Sequence, residues 1–240
     1  MTSPDPHDAP VTAADPGPAP AGGSGGSGGG RGRAVLVVVV VAALAVGALI
    51  GALLARQPAI TAASDGSVDA GFARDMAAHH AQAVELAVLA RDRSTDEEVR
   101  TVALDILLTQ QNQIGQMAGW LSTWGLPAAA SAPPMAWMTG DHAHATAAAS
   151  DDATGYAAMP GWVAREDLVR LTDATGADAD RLFLQLMIPH HVGGVAMAEY
   201  AVEHAQRPQV VALAENIVRS QDRELVALQA MLDARGGPLP

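Results

Sequence analysis

The hydrophobic pattern divides the chain into two unlike parts. Ala34 to Leu54 reads AVLVVVVVAALAVGALIGALL, 21 residues without a polar side chain. As a helix at about 1.5 Å per residue this run spans about 31 Å, the hydrocarbon thickness of a bilayer. It predicts a membrane-spanning helix. Further on, the apolar residues thin into stripes. Phe72, Met76, His79, Ala83, Leu86 and Ala90 alternate by four and three. After the charged run from Arg91 to Glu98 the alternation resumes with Val99, Ala103, Ile106, Gln110, Gln113, Met117 and Trp120. This spacing predicts two amphipathic helices joined by a tight turn. Asp69 stands where an N-cap is expected, and Gly125-Leu-Pro127 ends the second helix.

The pattern then repeats. Asp69-x-x-Phe72-x-x-x-Met76-x-x-His79-His80 returns as Asp180-x-x-Phe183-x-x-x-Met187-x-x-His190-His191, a constant offset of 111. The same offset carries Ala103 onto Ala214, Ile106 onto Ile217, Gln110 onto Gln221 and Leu121 onto Leu232. A gap-free match of that length is a duplication. The second copy's stripes run Phe183, Met187, His190, Gly194, Met197, Ala201, then Val210, Ala214, Ile217, Gln221, Glu224, Leu228, Met231. Pro208 opens the last helix and Gly236-Gly-Pro238 closes it. Two hairpins with one apolar stripe per helix bury those stripes best against each other. The expected fold class is therefore all-α: a four-helix bundle of two duplicated hairpins, preceded by one transmembrane helix.

Polar residues interrupt the seams at one level. Folding the first hairpin about residue 94 brings His79 level with Gln110 and Met76 with Gln113. Folding the second about residue 205 brings His190 level with Gln221 and Met187 with Glu224. His80 and His191 flank the seam one residue round the helix. A bundle would gather His79, His80, His190, His191, Met76 and Met187 in one zone, with Gln110, Gln113, Gln221 and Glu224 around them. Buried polar groups are costly unless hydrogen-bonded, hydrated or bound to an ion. Imidazoles and thioethers are ligands for copper and related transition metals. A hydrogen-bonded core that only fixes packing meets the same spacing, and the residues alone leave both readings open.

Composition narrows the classes. Residues 65–240 hold 23 Asp or Glu against 11 Arg, while residues 1–64 balance at three and three. An acidic domain repels phosphate backbones, which argues against nucleic acid. The chain has no Cys, which excludes disulfides, thiolate catalysis and zinc–thiolate sites. It also lacks a nucleophile constellation, a phosphate loop and a nucleotide fingerprint. No nucleotide or organic cofactor is indicated, and an enzyme is the less favoured class.

Residues 1–33, rich in Pro, Gly, Ala and Ser, offer little apolar surface and are expected to form a disordered tail. Arg31 and Arg33 precede the apolar run and only Arg56 follows, which puts the tail in the cytoplasm and the acidic domain outside. A cleaved signal peptide, cut near Thr61-Ala-Ala63, competes with this reading; the length of the apolar run favours a retained anchor. The expected organisation is a tail at 1–33, a transmembrane helix at 34–54, a linker at 55–64 and a helical domain at 65–240. That domain comprises repeat one (65–126), an insert (127–163) and repeat two (164–235). In the insert, Met135, Met138, His142 and His144 form a secondary candidate set for soft ions, or else incidental residues of a loop. A short helix from Arg165 to Ala174 is expected to lead into the second copy.

The twice-present Phe-x-x-x-Met-x-x-His-His motif, the pairs Gln110-x-x-Gln113 and Gln221-x-x-Glu224, and Met159-Pro160-Gly161-Trp162 resemble the domain-of-unknown-function 305 family. The resemblance runs from residue 65 to about residue 233. It implies a ferritin-like four-helix fold in bacterial secreted or envelope proteins, with functional weight on the double-His motif and copper or silver binding in some members. Carried over by motif, the implied ligands are Met76, His79, His80, Met187, His190 and His191. Gln113 departs from the Glu common in the family, and Trp162 from a common Met. The di-iron signature Glu-x-x-His is absent, so the shape does not imply iron oxidation.

The leading expectation is a membrane-anchored extracytoplasmic protein, monomer or homodimer, that binds copper or silver for buffering or resistance. The competing one is a metal-free structural or protein-interaction module of the cell envelope. A redox enzyme ranks third, because the carboxylate-rich ligand set it needs is missing.

Overall fold

A computed structural model of the chain describes residues 29–55, 62–139 and 154–240. All secondary structure among the described residues is helical. The elements are α1 (Gly29–Ala55), α2 (Val68–Arg93), α3 (Glu97–Thr123), a 3₁₀ turn (Gly155–Ala158), α4 (Arg165–Asp173), α5 (Gly176–His204) and α6 (Pro208–Ala234). They divide into two units, Met1–Ala59 and Ile60–Pro240. Most of the expected tail, most of the linker, and His142 and His144 lie outside the described residues.

In the first unit, α1 begins five residues before the apolar run and takes in Arg31 and Arg33. It is the one helix among the described residues long and apolar enough to cross a membrane, with a mean hydropathy of 3.0 over Val35–Ala52. Leu36 and Leu44 are 64% and 67% exposed. A helix of this length and apolar character near the N-terminus is compatible with a membrane anchor or a signal sequence.

In the second unit, α2 packs on α3 and on α5, α5 packs on α6, and the short α4 touches both α2 and α5. This is the expected bundle of two hairpins, turning at residues 94–96 and 205–207. Asp96 makes the first turn, its carboxylate accepting from the backbone N–H of Glu98 at 2.9 Å. Pro208 opens α6, where a missing N–H costs nothing.

The expected role of Asp69 is corrected. Ser67 caps α2, its hydroxyl accepting from Ala70 N at 3.2 Å, and Asp69 already lies inside the helix. From there its carboxylate holds the turn of the second hairpin, accepting from the backbone N–H of Gln206 at 3.1 Å and of Arg207 at 2.8 Å, just before α6. A carboxylate needs unpaired N–H groups, not sequence neighbours, and packing supplied those of the other copy's turn.

The core is split in two. One apolar cluster holds Phe72, Met76, Met117, Met197 and Ile217; the other holds Leu86, Ile106, Phe183, Met187 and Leu228. Offset by 111, Phe72 and Met76 correspond to Phe183 and Met187, so the clusters are duplicates of each other at opposite ends of the bundle. Each large apolar side chain fully buried there contributes roughly 1.5–3 kcal/mol. The residues that fall between them along all four helices are polar.

Candidate metal centre

The polar layer is built by the same positions of the two copies. His79 and His80 on α2 and His190 and His191 on α5 are all completely buried. The rings of His79 and His190 stack across the helix pair, with centroids 3.8 Å apart and planes at 30°. His80 and His191 lie outward of that stack, each facing its own hairpin partner. His80 Nε2 donates to Gln113 Oε1 on α3 at 2.6 Å. His191 Nε2 donates to Glu224 Oε2 on α6 at 2.7 Å. Gln113 and Glu224 are equivalent under the offset, so one hydrogen bond has been duplicated with a change of acceptor.

Gln113 and Glu224 thus reach the outward His of each pair. Gln110 makes no hydrogen bond through either amide atom, and Gln221 Oε1 is likewise without a partner. Met76 and Met187 lie in the apolar cluster on their own side of the layer.

A carbonyl or carboxylate oxygen only accepts, which fixes the tautomers. His79 Nε2 meets the Pro160 carbonyl at 3.0 Å, so it too carries its proton on Nε2. In His79, His80 and His191 the remaining lone pair is therefore on Nδ1, and every one of those Nδ1 atoms is buried without a partner. Neither nitrogen of His190 makes a hydrogen bond of ordinary geometry. Burial lowers the His79 pKa to about 4, with the Pro160 carbonyl opposing. Burial, reinforced by the neighbouring His79, lowers that of His80 to about 3, against the bond to Gln113. Burial and then His79 hold His190 well below the ordinary value. His79, His80 and His190 are therefore neutral at physiological pH and able to donate lone pairs. Among the described residues, however, no three His, Asp or Glu side chains are arranged to hold one ion.

The end of the insert closes the layer. Besides the Pro160 bond to His79, Gln82 on α2 clasps the backbone of Val163, donating to its carbonyl at 2.9 Å and accepting from its N–H at 2.8 Å. On the other side the segment lies flush against α5. A Cβ on Gly193 would stand 2.0 Å from the Pro160 oxygen, and one on Gly161 (φ +71°) would stand 2.3 Å from the Pro189 oxygen. Pro189, inside α5, has no N–H of its own to engage. Gln82, Gly193 and the Pro160 carbonyl were not among the residues expected from sequence. The signal present was the pair Gly193-Gly194 inside a helix, where glycine costs about 1 kcal/mol relative to Ala and so needs a reason.

The start of the insert is docked as well. Trp137 fills the space left by Gly71 and meets Phe72 edge-on at 6.0 Å. Asp75 accepts from Trp137 Nε1 at 2.8 Å and from Met135 N at 2.6 Å. Met138 is buried in the apolar cluster and Met135 packs against it. The thioethers of the secondary candidate set are thus core-facing, and its two histidines lie outside the described residues.

The known proteins this chain resembles agree with the architecture. The family described as Domain of unknown function (DUF305) matches residues 69–232. A crystal structure of a DUF305 protein from Streptomyces coelicolor is 41% identical, covers 74% of this chain and 99% of its own, and superposes with a TM-score of 0.65. A DUF305 fragment from Deinococcus radiodurans is 33% identical over 72% of this chain and 99% of its own, with a TM-score of 0.55. CopM in its Cu(I)-bound form is 24% identical over 72% and 97%, with a TM-score of 0.50, and shares the fold. An uncharacterised protein of Acanthamoeba polyphaga mimivirus is 34% identical over 56 residues, and the chain spans only 37% of that relative's length.

Proposed function

The chain belongs to the DUF305 family, and from that premise we propose that its helical domain binds a soft or borderline metal ion, copper or silver, at His79, His80, His190 and His191. The carrying observation is the protonation pattern. Three imidazoles donate Nε2–H to an oxygen and keep a buried, unpartnered Nδ1 lone pair, the arrangement in which histidine is held for metal ligation. A buried polar atom left unpaired costs about 1–3 kcal/mol. A core that kept several such atoms for packing alone would be poorly designed, whereas a bound ion gives such lone pairs a partner. Met76 and Met187, four residues before His80 and His191, are the soft ligands nearest in sequence. CopM has been solved with Cu(I), Cu(II) and silver bound, which supports this choice of ions.

The domain sits outside the cytoplasmic membrane in this proposal, with α1 as a retained anchor oriented by Arg31 and Arg33. There it acts as a buffer or resistance factor meeting ions at the outer face. One observation favours the metal-free interaction module instead: the His79 and His190 rings touch, where ligands of one ion would be splayed around it. The two readings part in a titration of the full-length chain, held in detergent, with Cu(I), Ag(I), Cu(II) and Zn(II). Saturable binding of Cu(I) or Ag(I), with ¹⁵N shifts at histidine Nδ1 rather than Nε2, is the expected result. No binding and an unmoved melting temperature would leave the structural module.

A further inference from the structure

Resting on the metal reading above, we propose that the groove between α3 and α6 is the route by which the ion reaches the histidine layer, with Gln113 as its gate. All four imidazoles are fully buried, so some group must move to admit an ion. The bundle leaves a groove of about 680 Å³ between its outer helices α3 and α6. Its walls carry the carboxamides Asn112, Gln113 and Gln116 from α3 and Gln209 and Asn216 from α6, and no ionisable side chain. Gln113 belongs to both places at once, lining the groove while its Oε1 accepts from His80 Nε2 at 2.6 Å. One rotation of that side chain would uncover His80 and open the layer to the groove. Neutral amide oxygens replace an ion's waters one at a time and hold it more weakly than carboxylates do, which suits passage rather than capture.

The duplication supplies an internal control. Under the offset, Leu108 and Asn112 become Arg219 and Arg223 in the second copy, and Gln113 becomes Glu224. The facing positions Gln209 and Asn216 correspond to Glu98 and Asp105. A cation approaching the second face is repelled at one wall and trapped at the other; the first is lined by no carboxylate, and the guanidinium that reaches it, Arg219, is held on Asn216 Oδ1 at the α6 wall.

The test is the rate of Ag(I) loading onto the full-length chain in detergent, followed by stopped-flow tryptophan fluorescence, Trp120 being a groove residue. Ala212 is an exposed groove residue, so A212R puts a guanidinium in the route without touching the core. Its equivalent in the other half is the exposed Thr101. A212R is expected to slow loading roughly tenfold while leaving equilibrium affinity within about twofold, and T101R to leave the rate unchanged. Q113A is expected to speed both loading and release. If the wild-type chain shows no saturable Ag(I) binding, the metal reading fails and the route goes with it. If it binds but A212R loads at the wild-type rate, loses affinity in step with rate, or is matched by T101R, the route alone is overturned. Unchanged rates in Q113A would remove the gate.

Discussion

In the first copy His79 donates its Nε2–H to the Pro160 carbonyl and His80 donates its own to the neutral amide of Gln113; in the second, neither ring nitrogen of His190 makes a hydrogen bond of ordinary geometry and His191 faces the carboxylate of Glu224. The insert's return segment meets the halves just as unequally. It is hydrogen-bonded to α2 through Gln82, and merely pressed against α5 at Gly193, the position equivalent to Gln82. Duplication kept the ring positions, because four helices packed by the same stripes return the same seam to the same place. It did not keep the partners, because one segment can cover a two-fold layer only by touching its halves differently. The differences therefore mark where each half contributes separately: copy one fixes the cover, copy two carries the charge.

The hardest blow to that comparison falls on the cover. Gly193→Ala should destabilise the domain by about 3 kcal/mol, since the new Cβ meets a backbone oxygen that cannot move alone. Its neighbour is the contrast. A Cβ on Gly194 would meet the end of the Gln221 side chain at 2.6 Å, which can rotate away, so Gly194→Ala should stay within about 1 kcal/mol of wild type. Thermal melts of both variants decide it. Equal effects would mean that the segment is not held against α5.

Much of this was legible in the sequence. The stripes and the offset of 111 defined the hairpins, their turns and the layer's level, because helical periodicity and duplication are local properties of a chain. The cover was not legible, since its hold depends on main-chain groups of residues 160 and 163 meeting Gln82 and Gly193 across the fold. Asp69 misled for the same reason: a carboxylate near a helix start reads as that helix's cap, and its real clients lie 137 and 138 residues away. Met138 looked like a loop ligand because no sequence pattern shows that Trp137 fits over Gly71.

Acid should bring out the burial of the first copy's rings. The folded-state pKa values of His79 and His80, about 4 and about 3, lie below the ordinary 6.5 of an unfolded imidazole. Between those limits the unfolded chain binds more protons, so stability is full above about pH 6.5 and falls as pH drops toward 4 and below, by a few kcal/mol. Denaturant melts across that range check the sign. For the same reason metal affinity should hold through pH 6.5 and weaken only near pH 4, where the native rings themselves charge. A loss of binding centred at pH 6.5 with the fold intact would show that the ligands are exposed histidines instead.

Removing one ring from each half tests whether the halves act together. The double substitution of His79 and His190 by Gln keeps size and hydrogen-bonding character. Free metal at a hundredfold above its dissociation constant should stabilise the wild type by about 2.7 kcal/mol, and the double variant by none. If the variant is less stable but wild type gains nothing from metal, the layer is a packing device. If binding persists in the double variant and vanishes on deleting Met135, Met138, His142 and His144, the site belongs to the insert.

The smallest and sharpest change exchanges the acceptors. Glu224→Gln makes the second copy match the first, and Gln113→Glu makes the first match the second. A carboxylate accepting Nε2–H strengthens the lone pair on Nδ1 of the same ring, and such outer partners typically alter metal affinity about 10- to 100-fold. Glu224→Gln should therefore weaken Ag(I) or Cu(I) binding about tenfold, close to 1.4 kcal/mol, with little change in the melting temperature of the free protein. Gln113→Glu should strengthen it by a similar factor if His80 and His191 contribute alike. Its new carboxylate would also put a negative charge into a groove lined by no other carboxylate, so its loading rate reports on the route while its affinity reports on the ring. Calorimetric titration of the two single variants and their combination closes the cycle. Affinities that shift in opposite senses and cancel in the combination would show two equivalent rings feeding one site. A response to Glu224→Gln alone would mean that the second copy holds the ion and the first supplies only the cover.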